Sequence, residues 1–225
     1  MSKFYTPLVL ALGLTSYAQA TESQFVDNLE VTNTLTFANN YVTRGISGSS
    51  NEPVIQGAMD VAHSSGAYAG VWATSGDARG EIDWYAGYVY ELNEDFALDV
   101  GAARFYYPGE TGHQTEGYVT LMTPWVKVTA RHDWQYGHNY YELNKAIPLA
   151  DRLDMQLHLG YKNYGEKKYE TSHWAYGKEY ADASVKFGYK LSDKHTVFAG
   201  YSWHEDDNDD HATEGKVLLG ITASF

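Results

Sequence analysis

The sequence predicts an all-β protein: a transmembrane, antiparallel, up-and-down β-barrel of about twelve strands. Three features predict it: an alternating last strand that closes on an aromatic residue, a series of alternating segments whose connections are long and short in turn, and an export-type leader. In the terminal segment Glu214–Phe225, Val217, Leu219, Ile221, Ala223 and Phe225 share one face, and Lys216, Gly220, Thr222 and Ser224 share the other. A strand of about 9–11 residues with one apolar and one polar face is the unit of bacterial outer-membrane barrels. The terminal Phe225 fits the signal read by barrel-assembly machinery, which is the expected assembly partner.

The opposite end agrees. Lys3 is followed by an apolar run from Leu8 to Leu14 and then by Ala18-Gln19-Ala20, a small-x-small cleavage pattern. The expected organisation is a signal peptide over 1–20, cleaved after Ala20, and one barrel domain over 21–225. The apolar run is too short for a spanning helix, which needs roughly 20 residues.

In chain order, strand patterns fall near 29–46, 54–64, 67–75, 81–92, 96–107, 115–123, 125–133, 138–147, 153–164, 178–190, 196–204 and 214–225. The odd-numbered connections are longer and polar: Ser47–Pro53, Gly76–Gly80, Pro108–Gln114, Trp134–Gly137, Gly165–Gly177 and Glu205–Thr213. The even-numbered ones are short: Ser65-Gly66, Asn93–Asp95, Pro124, Pro148–Arg152 and Leu191–His195. External loops alternating with periplasmic turns produce this rhythm, and an even strand count puts both termini on the periplasmic side. Soluble sandwiches also alternate, but the leader and the terminal aromatic together favour the barrel.

Parity assigns the faces. In the fourth strand Ile82, Trp84, Ala86, Tyr88, Tyr90 and Leu92 point outward, leaving Glu81, Asp83, Tyr85 and Glu91 inside. In the ninth, Leu153, Met155, Leu157, Leu159 and Tyr161 alternate with Asp154, Gln156, His158 and Lys162. In the tenth, Ala181, Ala183, Val185, Phe187 and Tyr189 alternate with Asp182, Ser184, Lys186 and Lys190. A one-residue slip would place several charges in lipid, at roughly 2–4 kcal/mol for each mid-membrane Lys. Lys145 in the eighth strand falls on the lipid face, near the periplasmic rim, where it can snorkel.

Composition is consistent with this architecture. Aromatics at 15% can supply the interfacial girdles of a barrel. The chain has no Cys, so stability must come from backbone pairing rather than from cross-links. The net charge of −13 argues against nucleic acid as a partner and implies an acidic lumen, acidic loops or both.

Three segments carry a family resemblance: Asn40-Tyr41-Val42-Thr43-Arg44-Gly45-Ile46-Ser47 with Pro53-Val54-Ile55-Gln56-Gly57; Gly66-Ala67-Tyr68-Ala69-Gly70-Val71-Trp72-Ala73; and Glu81-Ile82-Asp83-Trp84-Tyr85-Ala86-Gly87-Tyr88. Tyr140-Tyr141-Glu142-Leu143 follows later. In this order they resemble the TorF family of proteobacterial porins, whose usual pattern is close to SDYVFRGISQS, PAIQG and SGFYAGVW. Here Asn39-Asn40, Thr43, Gly48 and Val54 depart from that pattern. The resemblance implies an outer-membrane barrel of porin type and names no solute.

On parity, Arg44, Gln56, Asp60, Glu81, Asp83, Asp99, Glu116, Arg131 and Glu142 all project inward and are the candidate pore-lining residues. Arg44 and Arg131 facing a carboxylate cluster would set up a transverse field that orients polar solutes and tunes ion selectivity. The alternative is a lumen plugged by charges that satisfy one another. The acidic excess points to cationic or zwitterionic small polar solutes.

Other chemistries find less support. Asp206, Asn208 and Asp210 have alternating ligand spacing, but His211 and Val217 stand where a calcium loop needs Gly and Glu. No G-x-S-x-G occurs, and the adjacent His132-Asp133 pair is the nearest approach to acyl-transfer machinery, so an enzyme is not expected. No cofactor or zinc spacing is implied. The 165–177 loop carries Lys167, Lys168, Tyr169, His173, Trp174 and Tyr176, a mixture suited to lipopolysaccharide phosphates or to gating the mouth. Outer-membrane lipid and lipopolysaccharide are therefore expected partners, and a non-conducting structural or ligand-binding barrel is the alternative function.

Overall fold

The computed structural model describes residues 28–76, 80–109, 112–164, 179–205 and 215–225. The leader, the aromatic-basic segment 165–177 and the Asp206–Asp210 motif lie outside the described residues.

Twelve strands make one closed antiparallel sheet, and a short hairpin is inserted after the first of them. In chain order the strands are β1 (Leu29–Ala38), the hairpin strands β2 (Val42–Thr43) and β3 (Ile46–Ser47), β4 (Val54–His63), β5 (Ala67–Thr74), β6 (Glu81–Glu91), β7 (Ala97–Tyr106), β8 (Gln114–Met122), β9 (Lys127–Asp133), β10 (His138–Ala150), β11 (Leu153–Tyr164), β12 (Tyr180–Lys190), β13 (His195–His204) and β14 (Lys216–Ser224). Each barrel strand pairs with its neighbours in sequence, and β1 pairs with β14 to close the ring.

The β1–β14 seam is fastened at both ends. At one end the backbone of Asn33 exchanges hydrogen bonds of 2.9 and 3.0 Å with Phe225. At the other, the Asn39 side chain donates to the Val217 carbonyl at 2.9 Å and accepts from the Leu219 amide at 2.6 Å. Between them, the Thr36 and Thr222 hydroxyls meet at 2.8 Å inside the barrel.

Alternation fixes inside and outside. Phe37, Ile55, Trp84, Tyr90, Val100, Leu159, Phe187 and Val217 are exposed on the outer surface, while Asp83, Asp99, Glu116 and Asp182, on strands with the same alternation, are buried within. Lys145 faces outward and bends to the rim, where its Nζ donates to the Pro124 carbonyl at 3.0 Å. The eighth barrel strand, β10, runs further than its 138–147 pattern predicts. A register shift between Pro148 and Ala150 absorbs a proline that cannot donate to the ladder.

The repeated Tyr-Ala-Gly tripeptides have a structural explanation. Tyr68-Ala69-Gly70 and Tyr85-Ala86-Gly87 pair in antiparallel register, so each tyrosine lies opposite the other's glycine. Each ring covers the opposing glycine: a Cβ on Gly70 would stand 2.5 Å from the Tyr85 ring, and one on Gly87 would stand 2.3 Å from the Tyr68 hydroxyl. Tyr118 covers Gly101 in the same way. Glycine therefore makes room for an inward aromatic that restores the packing glycine itself cannot supply. Tyr85 and Tyr118 join Tyr41, Val54, Trp72, Ala103 and Phe105 in the interior core.

Gly87→Ala should destabilise the barrel by about 1–3 kcal/mol, because the added methyl also meets the Val100 carbonyl at 2.8 Å. Urea titration of the refolded protein, read by tryptophan fluorescence, checks this; an unchanged midpoint would mean the Tyr-Gly fit carries no stability.

Candidate functional site

The site is the barrel interior. Among the described residues, the buried charged groups that strands β4 to β8 direct inward are all carboxylates: Asp60, Glu81, Asp83, Asp99 and Glu116. Arg104, on β7, faces outward and donates to Thr115. Strands β9 to β12 carry the inward cations Lys127, Arg131, Lys162 and Lys186, interleaved with Asp133, Glu142, Asp154 and Asp182. One wall is thus acidic and the other mixed, which gives a transverse field across the lumen.

Of the nine candidates, Gln56, Asp60, Glu81, Asp83, Asp99, Glu116, Arg131 and Glu142 occupy inward positions on barrel strands. Arg44 reaches the lumen by a different route. The first strand ends at Ala38 rather than running to residue 46, and the chain turns back inside the barrel as the β2–β3 hairpin. Arg44 and Gly45 form its tip with φ of 49° and 76°, a pair of positive values that defines a tight primed hairpin turn. A Cβ on Gly45 would lie 2.5 Å from the His204 Cβ and 2.9 Å from the Asp182 Cβ. Glycine is therefore required both by the backbone and by the contact with the β12–β13 wall.

From this tip Arg44 crosses to the acidic wall. Its Nη1 and Nη2 donate to the two carboxylate oxygens of Glu116 at 2.8 and 2.6 Å, and its guanidinium lies 4.5 Å above the Tyr140 ring. A bidentate Arg–carboxylate pair is directional as well as strong. The loop around the hairpin is tied by its own polar side chains. Ser47 Oγ donates to Asn40 Oδ1 at 2.7 Å, Asn40 Nδ2 donates to Asn51 Oδ1 at 2.9 Å, and the Tyr41 amide donates to Ser49 Oγ at 3.0 Å. The Asn-Tyr-Val-Thr-Arg-Gly-Ile-Ser motif thus encodes an inward-folded loop rather than the end of a strand.

A second ion pair lies on β9 and β10. Arg131 Nε donates to Glu142 Oε1 at 2.7 Å, and the Arg131 guanidinium lies 5.0 Å over the Tyr118 ring. Beside it, Tyr140 donates to Asp182 Oδ2 at 2.9 Å, His158 Nε2 lies 2.8 Å from Asp182 Oδ1, and His158 Nδ1 lies 2.8 Å from Asn144 Oδ1. On the acidic wall Tyr85 donates to Asp60 at 2.5 Å and Tyr68 to Asp99 at 2.7 Å. The candidate set omits these tyrosine donors and the His158–Asp182 pair; inward parity within otherwise aromatic-out strands was the signal that could have included them.

The adjacent His132 and Asp133 do not act together. Successive strand residues face opposite ways, so His132 meets Asn139 outside at 2.8 Å while Asp133 turns inward and caps the Gln135 and Tyr136 amides.

A closed twelve-stranded antiparallel barrel with a polar, charge-divided interior is the porin type of architecture. The chain belongs to the Gcw_chp family, described as a bacterial protein of unknown function, over residues 22–225. The KdgM porin has a similar fold, with a TM-score of 0.65 and 11% identity over 86% of this chain and 99% of that one. The NanC porin matches with a TM-score of 0.62 and 12% identity over 85% and 98%. KdgM in complex with disordered oligogalacturonate matches with a TM-score of 0.59 and 11% identity over 87% and 98%. A sequence search of curated proteins finds no match.

Glu116→Gln should release the hairpin and lower stability by about 3–5 kcal/mol, because it leaves the Arg44 charge buried without its counter-ion. Urea unfolding measures the loss, and proteolysis near residues 42–47 reports the release. Unaltered stability and protection would show that the pair does not hold the loop.

Proposed function

We propose that the protein is an outer-membrane, porin-like channel that passes small polar solutes, cationic or zwitterionic, by passive diffusion. The observation that carries this reading is the sidedness of the closed sheet: an apolar, aromatic-rich outer face around an interior of paired charges with an unbalanced acidic wall. An exterior of that kind is suited to lipid, and charged rings facing a water-filled lumen discriminate ions by sign. The fold shared with the KdgM and NanC porins and the TorF-type sequence resemblance support the same class. The inward hairpin narrows the lumen, which restricts passage to small solutes.

The same hairpin favours one other reading, a non-conducting structural or lipopolysaccharide-binding barrel. Planar-bilayer recording of the refolded mature protein under a salt gradient separates the two. Discrete steps with a cation-selective reversal potential are expected. A folded barrel that stays silent, its folding shown by heat-modifiable gel mobility, would favour the non-conducting reading.

Joint neutralisation by Glu81→Gln and Asp83→Asn should move the reversal potential toward zero, and an unchanged value would remove both residues from the conduction path. Leu159→Arg, in the middle of the outer belt, should cost about 2–4 kcal/mol on refolding into lipid vesicles. Equal stability of this variant and the wild type would mean that position 159 does not face acyl chains.

A further inference from the structure

Beneath the hairpin lies a cavity of about 50 Å³, bounded by β4, the hairpin and β10 to β14. A space of this size holds a few heavy atoms, such as a carboxylate with one or two carbons. Its charged lining is unlike the acidic wall across the lumen. Lys186 contributes a cation, Arg44 a second whose two terminal nitrogens are held by Glu116, and Asp182 the one carboxylate. That carboxylate is already bonded by Tyr140 and His158, and both nitrogens of His158 are taken up by Asp182 and Asn144. Lys186 is held 5.3 Å above the Phe198 ring, on the apolar flank of the cavity.

Gln56 is the informative residue. It lines this cavity, is 2% exposed, and neither its Oε1 nor its Nε2 meets a protein partner. A buried amide without partners costs about 1–3 kcal/mol, so a purely structural position would ordinarily carry an apolar side chain. An amide donor placed with two cations around a few-atom space matches a carboxylate, which accepts from several donors at once.

We propose that this cavity is a subsite for the carboxylate group of a small solute, held by Lys186 and the Gln56 amide with Arg44 alongside. The proposal deepens the channel reading, on which the solute's route depends; the binding itself can be measured without conduction. A zwitterion suits the lumen best, because its ammonium group can face the acidic wall of β4 to β8 while its carboxylate enters the subsite.

The test is isothermal titration of the full mature chain, refolded in detergent, with sodium lactate, glycine and ethylammonium chloride, together with bilayer recording of the same preparation. Saturable binding of lactate and glycine but not of ethylammonium is expected, and tighter binding of glycine than of lactate would identify the zwitterion as the better source of the carboxylate. Lys186→Gln should weaken binding about tenfold, the loss of one charge-assisted contact. Gln56→Met keeps the volume and removes the idle amide. It should fold with normal heat-modifiable mobility, melt no lower than the wild type without solute, and bind severalfold more weakly. A structural role for Gln56 would instead lower the melting temperature. Absence of saturable carboxylate binding by the wild type, or unchanged affinity in Gln56→Met, would overturn the subsite. Binding in a preparation that conducts nothing would leave the subsite standing and remove the channel; conduction without binding would do the reverse.

Discussion

A sheet of twelve strands has two edges, and the rest of this structure depends on their meeting. An open edge is a row of unpaired amides and carbonyls, tolerable in water and costly in an apolar medium. Here β1 and β14 join through backbone bonds at Asn33 and Phe225 and through the Asn39 side chain. Once the ring is closed, every strand has a fixed inside and outside, and two-residue alternation decides the environment of each side chain.

Closure also creates an interior problem. Twelve strands enclose more space than their side chains fill by default, and the inward positions here are largely polar. The structure settles this in two ways. Aromatic rings fold over inward glycines, as in the paired Tyr-Ala-Gly segments, and tyrosine hydroxyls donate to one oxygen each of Asp60, Asp99 and Asp182. The β2–β3 hairpin then occupies part of what remains, pinned by a guanidinium on one carboxylate and one aromatic face.

That pin joins two unlike surfaces. The β4–β8 wall contributes carboxylates, while β9 to β12 alternate cations with carboxylates, and Arg44 spans from the second surface to the first. Its ion pair with Glu116 is at once a stabilising contact for the loop and part of the field any solute would meet. On the channel function proposed above, structure and selectivity would share residues in this lumen, and changes at Arg44 or Glu116 would alter both together.

The sequence by itself determined what depends on local alternation. The twelve strands, their faces in segments such as 81–92 and 153–164, the outward Lys145 at the rim and the inward set from Gln56 to Glu142 follow from a period of two, because a one-residue slip would bury charge in the outer belt. Tertiary structure alone decided what depends on approach between distant segments. Residues 39–46 read as a continuation of the first strand, since Asn40, Val42 and Arg44 keep its parity, yet the chain leaves the sheet after Ala38. It does so because Arg44 finds Glu116 some seventy positions away in sequence, and because Gly45 fits against Asp182 and His204. Likewise the isolated Gln56 amide, and the small cavity it lines, arise only when β4 comes to face β11 and β12 beneath the hairpin. Alternation is a property of neighbouring residues and is written in the sequence; the meeting of opposite walls is a property of closure and is not.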